Sequence, residues 1–180
     1  PYATGDDVRS SPAVADLDNN NSLELIIGSH DGSIHILSGF GQQLATHQVN
    51  GSINGSPAAV DLDQDGDLEV VFTSYNGGTG DVHAIHHNGS TFFGFPVYLN
   101  EKMVGGAAAG DLDGDGYPEI VVCTDDDNVY AIKKDGSIMT GFPFTSTDRF
   151  FNAPTLVDLD GDSDLVIVVG NRRGTLQVLH

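Results

Sequence analysis

Short apolar runs separated by turn residues recur along the whole chain, and no segment sustains a 3.6-residue period, so strands are expected throughout and helices nearly nowhere. Four small apolar segments, 12–15, 57–60, 106–109 and 154–157, read as first strands. Proline is tolerated at a strand's first residue, and alanine suits a place where many strands crowd together. Almost continuous apolar runs follow at 23–27, 68–72, 119–123 and 165–169, as strands covered on both faces require. Hairpin turns then lead to third strands at 34–37, 82–85, 129–132 and 176–179; the second unit inserts residues 76–80 at its turn. Another tight turn, at Phe40-Gly41, Asn88-Gly89 and Asp135-Gly136, precedes a fourth, outer strand. Units two and three share Gly94-Phe95-Pro96 and Gly141-Phe142-Pro143.

One unit used four times, each too small to bury its own apolar faces, must stack on its neighbours. Radially arranged four-stranded antiparallel sheets do this, so the expected fold is an all-β propeller with four blades in this chain. The repeats fall at about 11–50, 56–100, 106–150 and 153–180 of a single propeller region, 1–180. Residues 1–10 resemble the end of an outer strand, and unit four stops before its own. A window from a larger ring is therefore expected, with a complete four-bladed ring as the alternative. The missing neighbours would be the rest of a longer propeller chain or, by self-association, further copies.

Between the first and second strands of every unit lies the same acidic phrase. The copies start at Asp16, Asp61, Asp111 and Asp158, spaced by 45, 50 and 47 positions. Side-chain oxygens on alternate residues of a tight turn converge on one point, which suits a hard cation taking six to eight oxygens, such as Ca²⁺. The candidate ligands are Asp16, Asp18, Asn20, Ser22 and Glu24 in the first copy, and Asp61, Asp63, Asp65, Asp67 and Glu69 in the second. The third offers Asp111, Asp113, Asp115, Tyr117 and Glu119; the fourth offers Asp158, Asp160, Asp162 and Asp164. Ser22, Asp67, Tyr117 and Asp164 are assigned through their backbone carbonyls. Gly66 and Gly116 sit where the turn needs positive φ, and Asn21 tolerates it. Ser163 and Val166 in the fourth copy replace the relaxed turn residue and the last ligand, so that site is expected to be weakest. Acidic surface turns are the plain alternative. An EF-hand is excluded because its twelfth position needs glutamate, whereas Ile27, Phe72, Val122 and Val169 stand there.

The formal charge of −19, from 26 acids against 7 lysines and arginines, opposes nucleic acid or anionic lipid as partner. More than half of those acids lie in the four phrases, so the acidity belongs largely to the candidate metal loops. No run of eighteen apolar residues exists, hence no membrane span is expected. The chain opens at Pro1 without methionine, which is read as a processed or excised piece. The lone Cys123, inside an apolar run, reads as a buried small hydrophobe.

The four Asp-Leu-Asp phrases, the preceding Ser-Pro-Ala segments and the following apolar strands resemble the FG-GAP or VCBS repeats of integrin-α-like β-propellers, over nearly the whole chain. The resemblance implies Ca²⁺ in the loop between the first and second strands of each blade. It also implies a cell-surface or secreted module with adhesive or lectin-like roles. Extracellular calcium is millimolar, so loops of ordinary strength would fill there. The expected function is binding, adhesion or scaffolding toward a protein or carbohydrate ligand. Tyr75, residues 148–151 and Arg172-Arg173 are candidate contacts on the face opposite the metal loops, with packing between blades as the alternative for the phenylalanines. The competing function is the propeller part of a secreted polysaccharide lyase or hydrolase. For that chemistry the histidine cluster His83, His86 and His87 reads as an exposed outer-strand position, and Lys133-Lys134 as a solvated face. No nucleophile–base set assembles from spacing.

Overall fold

The computed structural model describes residues 1–180, and it contains strands and turns but no helix. Blade 1 consists of β1 (Ala13–Ala15), β2 (Glu24–Gly28), β3 (Ser33–Ser38) and β4 (Gln43–Gln48). Blade 2 consists of β5 (Ala58–Val60), β6 (Glu69–Asn76), β7 (Thr79–Ile85) and β8 (Val97–Glu101). Blade 3 has β9 (Ala108–Gly110), β10 (Glu119–Cys123), β11 (Asn128–Ile132) and β12 (Phe144–Thr145). Blade 4 has three strands, β13 (Thr155–Val157), β14 (Val166–Gly170) and β15 (Leu176–Leu179). Within each sheet the strands pair antiparallel in chain order.

The inner strands sit side by side, β1 by β5, β5 by β9 and β9 by β13. Small residues there are a geometric necessity: a Cβ on Gly106 would lie 2.5 Å from the Ser56 carbonyl oxygen, well inside contact distance. Each inter-blade space is filled by alternate residues of two facing sheets. Ile26, Ile34 and Ile36 of blade 1 meet Val70, Phe72 and Ile85 of blade 2. Val71, Val82 and Ala84 then meet Ile120, Val122 and Ile132 of blade 3. Val121, Cys123 and Ala131 meet Ile167 and Val169 of blade 4. At about 25 cal/mol per Å² of apolar surface removed from water, these seams supply the main driving force for stacking the blades. No such cluster joins blade 4 to blade 1, so the four blades form an open arc.

In blade 2 the inserted residues do not make a loop. They lengthen the hairpin, with Tyr75 opposite Gly80 and Asn76 opposite Thr79, and the turn shrinks to Gly77-Gly78. The histidine expectation also needs correction. His83 lies on the third strand β7, buried, stacked on Phe72 at 4.9 Å between ring centroids and hydrogen-bonded through Nε2 to the Ser74 hydroxyl at 2.9 Å. Burial pushes its pKa down to about 4, so the ring is held neutral. Cys123 is buried, its thiol pushed up to about 12 for the same reason, which leaves no reactive thiolate.

Candidate metal centres

Each acidic phrase forms the turn from a blade's inner strand to its second strand, and one scheme of hydrogen bonds shapes all four turns. The first aspartate accepts backbone N–H groups from the fourth to sixth residues of its phrase. Asp16 bonds Asn20 and Asn21 at 3.0 and 2.7 Å, and Asp61 bonds Gln64 and Gly66 at 2.6 and 3.1 Å. Asp111 takes Gly114 and Gly116 at 2.8 and 2.9 Å; Asp158 takes Gly161 and Ser163 at 2.7 and 3.1 Å. Those bonds hold the Asp158 carboxyl below the usual carboxylate range. The fifth residue, Asn20, Asp65, Asp115 or Asp162, accepts from the backbone two positions on. Polar side chains bonding locally to their own turn are the reason Asp and Asn dominate here.

Two residues per turn take positive φ. The sixth position was legible: Asn21, Gly66, Gly116 and Ser163 have φ of 67°, 96°, 91° and 78°. The fourth position was not, and there Asn19, Gln64, Gly114 and Gly161 have φ of 53°, 66°, 73° and 84°. The signal available was the Asn, Gly, Gly in three of the four copies. Gln64 hides it, and its side chain instead reaches across to the Gly116 carbonyl of the next blade's turn.

The glutamate closing each of the first three phrases acts as a latch. Glu24 accepts the Leu17 N–H at 3.0 Å, Glu69 that of Leu62 at 3.0 Å and Glu119 that of Leu112 at 2.9 Å. All three glutamates are buried. Burial, opposed by those N–H bonds, pushes the Glu69 and Glu119 carboxyls above their ordinary range. Val166 takes this place in the fourth turn.

Carboxylate oxygens converge within 4.8 Å of one another in every turn: from Asp16, Asp18 and Glu24; from Asp61, Asp63 and Glu69; from Asp111, Asp113 and Asp115; and from Asp158, Asp160 and Asp162. The fit to a hard divalent cation is good at the first two turns, where three carboxylate oxygens converge and the buried glutamate pairs with no lysine or arginine, the second turn having only His86 beside Glu69. It is weaker at the fourth, where all three carboxylates are exposed. The third turn contains a cation of its own chain. Lys133 Nζ lies 2.6 Å from Asp113, 3.6 Å from Asp115 and 3.9 Å from Glu119, and Lys134 lies over the Tyr117 ring. The pair raises the lysine's pKa and holds Asp113 low. Lys133 is thus part of the turn rather than of a solvated face. Strand register explains it. Glu24 stands opposite Ser38, and the residues after Ile85, Ile132 and Leu179 are His86, Lys133 and His180, so the end of the third strand always borders the turn. His86 accordingly lies 3.0 Å from Glu69, with His87 3.3 Å from Asp67. These are the site neighbours that spacing along the chain did not disclose.

At the opposite end of the blades, Phe150 is fully buried between blades 3 and 4 and is no surface contact. Phe151 is exposed, with the Arg172 guanidinium 6.0 Å from its ring; Arg173 pairs with Asp148 at 3.0 Å, and Lys102 with buried Asp125 at 2.9 Å.

Comparison with known proteins agrees with this architecture. The chain covers 99% of its length and 93% of the computationally designed Ika4 protein at a TM-score of 0.66 and 16% identity. It aligns over 99% of its length with 48% of BamB from Moraxella catarrhalis, at a TM-score of 0.68 and 16% identity. With the V. cholerae biofilm matrix protein Bap1 the figures are 94% of this chain, 30% of that one, 0.59 and 22%. It therefore spans half or less of those two natural structures, and at such identities the likeness establishes the propeller fold alone. No curated protein matches the chain. The FG-GAP-like repeat model matches residues 61–122 and 111–169, more than half of the sequence, over the second, third and fourth acidic turns. This β-propeller chain belongs to the FG-GAP-like repeat family.

Proposed function

We propose that the chain is a calcium-binding β-propeller module of an extracellular protein, acting in binding, adhesion or scaffolding toward a protein or carbohydrate ligand. The observation that carries this reading is the convergence of carboxylate oxygens in repeated turns around buried glutamates that lack a strong cation of their own in the first two blades. Asp16, Asp18, Asn20 and Glu24 would hold one ion, with the Ser22 carbonyl. Asp61, Asp63, Asp65 and Glu69 would hold a second with the Asp67 carbonyl, and Asp111, Asp113, Asp115 and Glu119 a third with that of Tyr117. Asp158, Asp160, Asp162 and the Asp164 carbonyl offer a fourth, incomplete set. Bound calcium would neutralise carboxylates that otherwise repel one another where neighbouring blades meet. The extracellular setting proposed supplies millimolar calcium, which fills calcium modules with dissociation constants of about 10⁻⁴–10⁻³ M. The recognition surface proposed is the end opposite the turns, where Tyr75, Phe151, Arg172 and Arg173 combine ring planes with guanidinium donors.

Calorimetric titration of metal-stripped protein with calcium tests the reading. Two strong sites, a third weakened by Lys133 and a fourth weaker still are expected, with magnesium a poor substitute. Lys133→Met removes the competing ammonium and should tighten the third site about tenfold. No heat and no bound ion in millimolar calcium would end the calcium reading.

A further inference from the structure

The seams between blades 2 and 3 and between blades 3 and 4 each contain a polar plug that the seam between blades 1 and 2 lacks. We propose that the cleft left there, between β4 and the outer half of blade 2, is a binding site for an organic cation, a guanidinium or alkylammonium group held by Asp81. The proposal goes beyond the metal reading and uses neither the acidic turns nor Tyr75 and the arginines, so a failed calcium titration leaves it standing.

On the face that blades 2, 3 and 4 turn toward the blade before, the third strand places two polar side chains two residues apart, with another beside them at the end of the second strand. In blade 3 these are Tyr130, Asn128 and Thr124, and the Glu101 carboxylate of blade 2 accepts from all of them. The Tyr130 hydroxyl donates at 2.5 Å, Asn128 Nδ2 at 2.9 Å and the Thr124 hydroxyl at 2.6 Å. In blade 4 they are Gln177, Thr175 and Asn171, and the Ser146 hydroxyl of blade 3 accepts from Gln177 Nε2 and Asn171 Nδ2, both at 3.3 Å. Register fixes the equivalent in blade 2. Tyr130 stands opposite Val122, Gln177 opposite Val169 and His83 opposite Phe72, so blade 2 presents His83 together with Asp81 and Ser74, the last two directly opposite each other. The outer residue of blade 1 at the plug position is Val49. Its N–H donates to the Gly32 carbonyl at 2.9 Å, as that of Ser146 donates to the Asp127 carbonyl at 2.7 Å. A valine side chain has no polar atom to offer, so this row goes without its plug.

The result is a cleft of about 300 Å³, at the small end of ligand pockets, walled by His47 and Val49 of blade 1 and by Asp81, His83 and Tyr98 of blade 2. No lysine or arginine lines it. His83 and Ser74 satisfy each other through Nε2 and the hydroxyl, while His83 Nδ1 has no hydrogen bond although the residue is only 7% exposed. His47 donates its Nδ1–H to the Gly89 carbonyl at 3.0 Å, which fixes the blade 1 wall. Asp81 has neither a hydrogen bond nor an ion pair to its side chain, and burial pushes its carboxyl above the ordinary range with nothing to offset it. A half-buried carboxylate without a donor is costly, and a ligand that brings donors recovers that cost. Tyr98 stands opposite Asp81 across β7 and β8 with its ring 67% exposed. The polarity is thus the inverse of the seam between blades 2 and 3. There, donors of the later blade surround a carboxylate from the earlier one; here the carboxylate belongs to the cleft, so the occupant must carry the N–H groups and the positive charge. Guanidinium and ammonium groups make charge-assisted bonds to a carboxylate, and either gains further from lying over the face of a tyrosine ring. The net charge of −19 draws cations toward the chain and repels anions.

An NMR titration of the full chain with methylguanidinium, in calcium-containing buffer at physiological salt, tests this by following the ring protons of His47 and His83 and the Asp81 amide. Saturable shifts at all of these are expected, and N-methylurea, of similar shape but uncharged, should give none. Asp81→Asn keeps the volume and should weaken binding about tenfold or more, with the rest of its spectrum unchanged as evidence that it folds. Val49→Arg brings a guanidinium of its own chain into the cleft and should abolish the response to the added cation. A blocked tripeptide with arginine at its centre separates the sources of the ligand. Tighter binding than methylguanidinium assigns the site to an arginine side chain of a partner protein, equal or weaker binding to a free small cation, and either result keeps the site. Absence of saturable shifts, shifts confined to the acidic turns, equal binding of N-methylurea, or undiminished affinity in Asp81→Asn or Val49→Arg overturns the proposal.

Discussion

Chelating calcium is expected to lower the unfolding free energy by about 7 kcal/mol relative to protein in 10 mM calcium. An ion that binds only the folded state at a hundred times its dissociation constant contributes about 2.7 kcal/mol, a condition the first two turns would meet at 10 mM with affinities near 10⁻⁴ M, and a third site about tenfold weaker adds about 1.4 kcal/mol. For a domain of this size each kcal/mol shifts the melting temperature by about 2–4 °C, so a fall of roughly 15 °C or more is expected. The physical origin lies in the turns. Leu68 N–H bonds the Leu17 carbonyl, and the Gln64 side chain bonds the Gly116 carbonyl, so neighbouring turns are joined across the blade boundaries. Repulsion among uncompensated carboxylates in one turn therefore strains the next seam as well. Differential scanning calorimetry in calcium, in magnesium and in chelator measures the effect, and superimposable melts in all three would remove calcium from the account of stability.

Much of this architecture is legible in the sequence. The alternation of turn signals with apolar runs of fixed spacing located the strands because the second strands of the first three blades are covered on both faces by their neighbours, which leaves little freedom in composition. The acidic phrases were legible for a related reason: Asp16, Asp61, Asp111 and Asp158 each shape their turn through local bonds, so the geometry is written in consecutive residues. What escaped the sequence depends on pairing across strands. Lys133 enters the third turn because β10 and β11 pair Ile120 with Ile132, a register that leaves the following lysine beside Glu119. His86 reaches Glu69 through the same register in blade 2. His83 looked exposed because polar residues usually are, but it lies in a seam where Phe72 stacks on it and Ser74 satisfies its ring nitrogen. The Asn76–Thr79 pairing escaped because a glycine-rich insertion looks the same in a loop and in a tight turn between lengthened strands.

Glu69 separates the two tasks of the turn, and its variants should separate them in measurement. The side chain is 0% exposed, holds the Leu62 N–H and bonds His86 Nδ1 at 3.0 Å, besides presenting an oxygen to the converging Asp61 and Asp63. Glu69→Gln retains an acceptor for Leu62 and loses the charge. In chelator its stability should stay within about 1 kcal/mol of the parent chain, since only a charge-assisted bond becomes a neutral one. In calcium it should lose the roughly 2.7 kcal/mol contributed by the second ion, along with one strong site in the titration. Glu69→Leu removes the acceptor as well, leaving the buried Leu62 N–H without a partner at a cost of about 1–3 kcal/mol, so its loss in calcium should reach about 4–6 kcal/mol and part of it should persist in chelator. The fourth turn is the natural counterpart, with Val166 in the glutamate's place and a chain that still turns there. Chemical denaturation of both variants, each with and without calcium, gives the four free energies needed. Equal losses for Gln and Leu under both conditions would mean that the glutamate serves packing alone, whereas a calcium-specific loss in Gln and a calcium-independent remainder in Leu would assign the charge to the ion and the oxygen to the turn.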